Sequence, residues 1–320
     1  MKKLLVALLV AAMLLSCMSF ASAENWPVRD IELIVPANPG GDTDANARAL
    51  AAALNETMGW NVIVSNMAGG SGAVAFEDAL NNPSDGYRFV FYHSGACISE
   101  IMGMYEFNIL DDFKLAGMPF LDYSNAFLIN SANTKFSDLP SMVAYMKDHP
   151  EEVTFATETG NFTHLQVLAF EAAAGVKFNI VDAGTAAQKI TELLGNRLDV
   201  IGTQAGLVRD YLDTKQFTCL GILSDERLEG RPELMTMKEQ GYDVVFSKFF
   251  YLAAPASVPD EVITAMNEAL AKVKDNETLQ NYAKSALVNV TSMTPDETEA
   301  YYKEQSDIYA GYLADYIEKK

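Results

Sequence analysis

Short apolar runs alternate with amphipathic stretches along most of this chain. Runs at 31–35, 62–65 and 88–93 predict buried strands, and the 3.6-residue period from 42 to 58 predicts a helix. The same succession of strand, loop and helix returns between 126 and 223, where Ser137 is the predicted N-cap of a helix that ends at Asp148. Beyond a strand at 244–254 the pattern predicts mainly helices, at 259–274, 277–285 and 295–317. This alternation is typical of an α/β protein.

Four strand-to-helix junctions are rich in glycine and small polar residues. They span residues 36–44, 67–72, 157–164 and 182–185. In open α/β sheets ligands bind beyond the carboxyl ends of the strands, where such junctions lie. Helix N-termini offer unpaired N–H groups and partial positive charge there, and glycine lets the backbone approach a ligand closely. Two junctions in each half predict a site between two lobes that can hold a carboxylate or a phosphate without an arginine.

The first junction, PANPGGDTD, lacks the lysine and the spacing of a phosphate-binding loop. Asp44 in it has two interpretations, a cap of its own helix and a ligand contact, and Arg48 is predicted to form a surface salt bridge. The chain has three histidines and no G-x-S-x-G, H-E-x-x-H or cysteine-rich motif. We therefore expect no enzyme, no cofactor and no metal site.

The first residues have the pattern of an export signal. Lys2 and Lys3 precede an apolar run at 4–15, and an A-x-A pattern ends at Ala23, which predicts a signal peptide over residues 1–23. The alternative is a lipoprotein signal, LLSC, with a lipid on Cys17. Both interpretations place the protein outside the cytoplasm, periplasmic or secreted. No later stretch of the sequence is apolar enough to predict a membrane span.

The net charge of the chain excludes two classes of partner. The formal net charge of −20, from 43 acidic and 23 basic residues, argues against nucleic acid and anionic membrane surfaces. A small anion is still compatible with this charge, since local dipoles can outweigh a screened distant field.

Cys97 and Cys219 remain after cleavage at Ala23, and we expect two buried free thiols, with a disulfide between them as the alternative.

An ordered set of motifs along the chain resembles one protein family. The motifs are PANPGGDTDANAR, GWNVIVSN, AGGSGAVA, NPSDGYRFVF, TGNFTHLQ, LLGNRLDV and LAAPASVPDEVI. Over essentially the whole mature chain this set resembles the extracytoplasmic solute-receptor proteins of tripartite tricarboxylate transporters. The resemblance implies a type II periplasmic-binding-protein fold, with two α/β lobes joined by a two-crossover hinge and a ligand cleft between them. Lobe 1 would comprise residues 24–124 plus 248–320, and lobe 2 residues 125–247.

The same resemblance implies a function and a set of site residues. The protein would be a monomeric receptor that captures a small carboxylate-bearing metabolite for membrane transporter subunits. The alternatives are a receptor of an ABC-type importer and an extracytoplasmic enzyme on the same fold. The junctions and the resemblance together select as ligand-binding candidates Ala37, Asn38, Pro39, Gly40, Gly41, Asp42, Thr43, Asp44, Gly69, Gly70, Ser71, Ser94, Thr159, Gly160, Asn161, Thr163, His164, Asp182, Gly184 and Thr185.

The chain departs from the family pattern at three places near these candidates. It has VDAG at 181–184 where V-P-Y-K-G is usual, SNMAG at 65–69 where E-N-R-P-G is usual, and Asp42 in place of the third glycine of P-G-G-G. Two basic residues are lost and two acids are gained. These departures predict a ligand less anionic than a tricarboxylate, either a monocarboxylate or a zwitterion whose amine meets Asp42 or Asp182.

Overall fold

The computed structural model describes residues 26–82, 85–157 and 160–317. The predicted signal peptide with Cys17, and the site candidate Thr159, lie outside these ranges. Within them no helix combines the length and the apolar character that crossing a membrane requires. The described chain forms two β-sheets with helices packed on them.

The first sheet contains six strands: β1 (Ile31–Val35), β2 (Val62–Asn66), β3 (Arg88–His93), β4 (Phe113–Asp122), β10 (Lys248–Pro255) and β11 (Asn289–Met293). Their order is β11-β4-β10-β3-β1-β2. β1 is parallel to β2 and β3, whereas β10 runs antiparallel to β3 and β4. The carboxyl ends of β1, β2 and β3 therefore lie at the same edge as the first residue of β10.

The second sheet contains five strands: β5 (Asn125–Asn130), β6 (Thr154–Thr157), β7 (Asn179–Asp182), β8 (Val200–Gln204) and β9 (Phe217–Ile222). Their order is β7-β6-β8-β5-β9, with β6, β7 and β8 parallel and β5 antiparallel to its neighbours. The chain enters this sheet at residues 123–124, the first crossing, and returns to the first sheet just before Lys248, the second crossing. The two-lobed α/β architecture expected from the sequence is confirmed.

Eleven α-helices are found in the described ranges. They are α1 (Asp42–Met58), α2 (Ala73–Asn81), α3 (Gly95–Ile101), α4 (Ile109–Asp112), α5 (Leu139–Asp148), α6 (Phe162–Ala174), α7 (Ala186–Leu194), α8 (Arg209–Asp213), α9 (Asp260–Val273), α10 (Glu277–Ala286) and α11 (Pro295–Ile317). The apolar stripe of α1 is buried, and the helix ends at Gly59, whose φ of 67° places it in the left-handed region that glycine favours. Asp138, not Ser137, caps α5: its carboxylate accepts from the N–H of Ser141 at 2.8 Å, so the predicted cap was wrong by one residue.

The long final helix contacts both lobes. α11 packs against α3 and β4 of the first lobe and against α6 of the second. Tyr309 on α11 lies 6.1 Å from the ring of Phe162 and 6.3 Å from that of Phe246. This helix, which the sequence assigns to lobe 1, therefore packs against the second lobe as well.

The two cysteines of the described chain are free. Cys97 is buried and Cys219 is half-buried, and no disulfide joins them. The expectation of free thiols is confirmed, although Cys219 is less buried than expected.

Candidate functional site

A cavity of about 340 Å³ lies between the lobes, where the carboxyl ends of the parallel strands of both sheets converge. Ten of the predicted site residues line it: Ala37, Asn38, Gly41, Asp42, Thr43, Gly69, Asn161, Thr163, Gly184 and Thr185. Nine others lie outside the lining: Pro39, Gly40, Asp44, Gly70, Ser71, Ser94, Gly160, His164 and Asp182. All four glycine-rich junctions thus contribute to one cavity, although not every residue within them does.

A hydrogen-bond network behind the first junction fixes the shape of its loop. Asp44 accepts from the N–H of Gly40 at 3.0 Å and from Arg48 Nε at 3.1 Å. Asn66 donates to the carbonyl of Ala37 at 3.0 Å and to the other oxygen of Asp44 at 2.9 Å. Burial raises the pKa of Asp44, but the hydrogen bonds from Arg48 and from the Gly40 N–H bring it below its usual value. Asp44 therefore holds the loop together behind the cavity.

The predicted surface salt bridge of Arg48 is confirmed. Its guanidinium pairs with Asp44 at 2.9 Å, and its side chain is 52% exposed. Among the described residues that line the cavity there is no arginine.

Asp42 forms an ion pair with Lys248 at the cavity wall. Asp42 is the first residue of α1, and Lys248 is the first residue of β10 at the second crossing. The two side chains are only 13% and 9% exposed. Burial raises the pKa of Asp42, but the charge and hydrogen bond of Lys248 outweigh this and hold the pKa at about 2. The acid that replaces a family glycine is therefore neutralised by an ammonium group of the same chain.

His93 lines the cavity at the end of β3, next to the predicted candidate Ser94, which is fully buried. The Nδ1 of His93 accepts from the N–H of Gly95 at 2.9 Å. Burial, aided by the ammonium of Lys248, lowers the pKa of His93 well below its usual value. The ring is therefore neutral at pH 7 and carries its proton on Nε2, which makes that nitrogen a hydrogen-bond donor. His93 was not among the predicted site residues, although its position at the carboxyl end of a predicted strand could have identified it.

The second lobe supplies a lysine that sequence reasoning also missed. Lys189, the fourth residue of α7, is buried and lines the cavity. Its Nζ lies 3.3 Å from the carbonyl of Gly202 and 3.4 Å from Oγ1 of Thr163. The fourth junction lacks the family lysine, but the helix that follows it brings an ammonium group to the same cavity.

The two crossings meet beside the cavity at Asp122. This fully buried carboxylate accepts from the N–H and the hydroxyl of Ser124, both at 2.6 Å, and from Asn125 at 3.0 Å. Asp122 is also the register partner of Lys248 between β4 and β10. Burial raises the pKa of Asp122 to about 6, although the hydrogen bonds from Ser124 and the charge of Lys248 act in the opposite direction.

The lobes touch each other on one side of the cavity. Ser99 of α3 donates to the carbonyl of Gly160 at 3.2 Å, and Asn161 donates to the hydroxyl of Tyr92 at 3.4 Å. Asn161 also caps α6 through the N–H of Phe162. The third junction is therefore held against the first lobe rather than standing open to solvent.

The charged groups of the cavity are few. Among its described lining residues they are Asp42, Lys189 and Lys248, since His93 is neutral. The described parts of the chain contain no group of three or more histidine, cysteine or acidic side chains placed to hold a metal ion. The cavity therefore offers a ligand hydrogen-bond donors and ammonium groups. Two glycine-rich loops from each lobe, each leading into a helix, form its wall.

The family profile of the tripartite tricarboxylate transporter family receptor matches residues 46–312 of this chain. The chain belongs to this family. Among its relatives, protein BugT of Bordetella pertussis is 27% identical over 298 residues, which cover 91% of this receptor and 90% of BugT. The predicted family is thereby confirmed.

Solved structures agree on the fold. The periplasmic binding protein BugD superposes with a TM-score of 0.83 at 22% identity, over 91% of this receptor and 98% of BugD. Two proteins of Rhodopseudomonas palustris are similar as well. Rpa4515 with adipate gives a TM-score of 0.84 at 21% identity, over 91% of this chain and 98% of that one. MatC with bound malate gives a TM-score of 0.81 at 19% identity, over 90% of this chain and 100% of that one. The receptor therefore has the two-lobed periplasmic-binding-protein fold.

Proposed function

We propose that this receptor binds a small carboxylate-bearing metabolite between its lobes and delivers it to the subunits of a membrane transporter. One observation carries the proposal: Asp42, the one acid among the described lining residues, is already paired with Lys248. An anion entering the cavity therefore meets helix N-termini and ammonium groups, and no unpaired carboxylate among the described lining residues repels it. The adipate and malate held by two proteins of the same fold make carboxylates the first class to test.

The proposed mode of binding uses both lobes. Lobe 1 would comprise residues 24–124 plus 248–320, and lobe 2 residues 125–247, with the crossings as the hinge. In this arrangement the loop before α1 offers backbone N–H groups around Gly41, and Thr163, Thr185 and Lys189 face it from the other lobe. Contacts to both lobes stabilise the closed arrangement relative to an open one, which is how a ligand shifts such an equilibrium.

We propose that the mature receptor, after removal of residues 1–23, is a monomer that works outside the cytoplasm. It binds its ligand without converting it. Membership in a receptor family supports binding over catalysis. The enzyme alternative is tested by incubating the receptor with each ligand that binds and following the ligand by mass spectrometry, where any turnover contradicts the proposal.

The main experiment identifies the ligand class. Protein purified from its producing cells is denatured, and the released small molecules are analysed by mass spectrometry. Purified receptor is then titrated with monocarboxylates, dicarboxylates and neutral sugars while its melting temperature is followed, because a ligand that binds only the folded state raises it. We expect carboxylates alone to do so. Stabilisation by sugars, with none by any carboxylate, contradicts the proposed class.

A further inference from the structure

The ammonium group of Lys248 occupies the position on Asp42 that the amine of a zwitterionic ligand would need. Lys248 contacts Oδ2 of Asp42, while Oδ1 accepts from the N–H of Thr43 at 2.9 Å and lies 3.4 Å from the Thr43 hydroxyl. Each oxygen of the carboxylate thus has donors from the chain itself. We propose that Lys248 is a specificity-determining residue that excludes ligands with an amino group, so that the receptor selects carboxylates without one. This inference rests on the proposed function of the cavity as a carboxylate site.

Lys248 is held in place by its position in the fold. As the first residue of β10 it is paired with Asp122 across the antiparallel ladder to β4. Its Nζ lies 5.2 Å from the centroid of the Phe250 ring, within the range of a cation–π contact, and its side chain is only 9% exposed. The ammonium group cannot swing into solvent without leaving Asp42 buried and unpaired, which is strongly unfavourable.

The other acid expected to meet an amine does not reach the cavity. Asp182 ends β7, is exposed, and is absent from the lining, where Gly184 and Thr185 of the same junction take its place. An incoming ammonium group in the cavity would therefore find both oxygens of Asp42 occupied and would lie near the ammonium group of Lys189. Like charges in a site of low dielectric repel strongly.

The remaining part of the cavity still suits a carboxylate. The N-termini of α6 and α7 and the side chain of Lys189 lie on the second lobe. A ligand carboxylate bound between these groups and the loop N–H groups around Gly41 would bring its α-carbon to the Asp42–Lys248 pair. An α-amino group on that molecule costs binding free energy, whereas a hydrogen, a hydroxyl or a carbonyl at the same carbon does not.

The test compares matched ligands by isothermal titration calorimetry. The pairs are propanoate and alanine, succinate and aspartate, and glutarate and glutamate, which differ in the amino group. We expect the parent receptor to bind the member without the amine at least tenfold more tightly in each pair that binds. Lys248→Met should shift this ratio at least tenfold toward the amino member, because it exposes the Asp42 carboxylate to the ligand.

The reciprocal variant keeps the test decisive if Lys248→Met does not fold. Asp42→Asn leaves the ammonium of Lys248 facing the cavity, so it should favour succinate over propanoate at least tenfold more than the parent does. The double variant Asp42→Asn, Lys248→Met is the matched control without either charge, and it should show neither shift. Circular dichroism verifies that each variant is folded.

The outcomes separate this inference from the proposed function. Equal affinity for both members of a pair in the parent overturns the inference, as does an unchanged ratio in folded Lys248→Met or in folded Asp42→Asn. In those cases carboxylates still bind and the proposed function stands. Failure of every carboxylate to bind the parent contradicts the proposed function itself, and the inference with it.

Discussion

Asp122, the last residue of β4, accepts a hydrogen bond at 3.1 Å from Nε2 of Gln204, the last residue of β8. The bond joins the last residue of β4, in the first lobe, to a residue of the second lobe that also lines the cavity. Lys248 stands opposite Asp122 at the second crossing and pairs with Asp42. Two polar contacts, Gln204–Asp122 and Lys248–Asp42, and the strand pairing of Asp122 with Lys248 therefore connect the second lobe through both crossings to the N-terminus of α1.

The buried position of Asp122 predicts a pH dependence of stability. Its pKa in the folded protein is about 6, above the value of about 3.9 for an unfolded chain. A raised folded pKa contributes stability that is complete below pH 4 and is lost as the pH rises through 6. The loss amounts to about 3 kcal/mol at most.

Asp122→Asn should remove this part of the pH dependence. The free energy of unfolding, measured by urea denaturation at pH 4 and pH 7, should fall less between the two values in the variant than in the parent. Asp243→Asn, whose side chain is 84% exposed, serves as the control and should follow the parent. Parallel profiles for the parent and Asp122→Asn would contradict the prediction.

Gly41→Val should weaken binding and leave the fold intact. A side chain at Gly41 would meet only the carbonyl of Asn38, at 3.9 Å, so there is space for it on the cavity side. It would keep a ligand carboxylate away from the loop N–H groups, and each charge-assisted hydrogen bond lost is worth about 1.5–3 kcal/mol. We expect roughly ten- to hundredfold weaker binding, or about 1.4–2.8 kcal/mol.

The measurement is a thermal titration of the parent and the variant with the same carboxylate. Gly311→Val is the control, because Gly311 lies on α11 with open space around it and is not among the residues that line the cavity. Equal ligand-induced shifts in the parent and in Gly41→Val would mean that the loop is only a turn between β1 and α1.

Lysine rather than arginine should carry the positive charge of the site. Lys189→Met removes an ammonium group from the cavity lining and should weaken carboxylate binding roughly tenfold to hundredfold, the value of one charge-assisted hydrogen bond. Arg48→Ala should weaken binding less, because Arg48 contacts Asp44 and Asn66 behind the loop. Calorimetry on both variants, with the exposed Lys303→Met as control, decides between them. Complete loss of binding in folded Arg48→Ala would reverse the assignment.

The thiols should be unreactive in the folded protein and free in the unfolded one. Burial raises the pKa of Cys219 to about 12 and that of Cys97 higher still, so neither forms an appreciable amount of thiolate at neutral pH. A chain that begins at Glu24 should titrate two thiols in denaturant without reductant, and react slowly in native buffer. Finding none after unfolding would indicate a disulfide and contradict the structure.

Most of the strands and helices, and several of their ends, follow from local sequence pattern. The apolar runs mark β1 and β3 without error, the 3.6-residue period marks α1 over residues 42–58, and Gly59, Gly175 and Gly195 each follow the last residue of a helix. These features are local, because the period of apolar positions and the backbone freedom of glycine act within a few residues. For the same reason the four junctions could be recognised as the wall of one cavity.

Two strands of the first sheet were not predicted. β4 follows α4 without an intervening turn signal, and its ten residues are almost uniformly apolar, so alternation gave no sign of it. β11 is short, half exposed and pairs only with β4 in the described sheet. Neither forms from local preference; each depends on a partner strand that is distant in the sequence.

The charge of the cavity, in contrast, depends on long-range packing. The sequence gives no sign that Asp42 is paired, because Lys248, which neutralises it, lies 206 residues away. Lys189 enters from a helix and His93 from a strand end, and neither belongs to a glycine-rich motif. Local pattern determines which backbone segments reach the cleft, whereas the direction of a side chain and the identity of its partner depend on how two sheets and two crossings pack together.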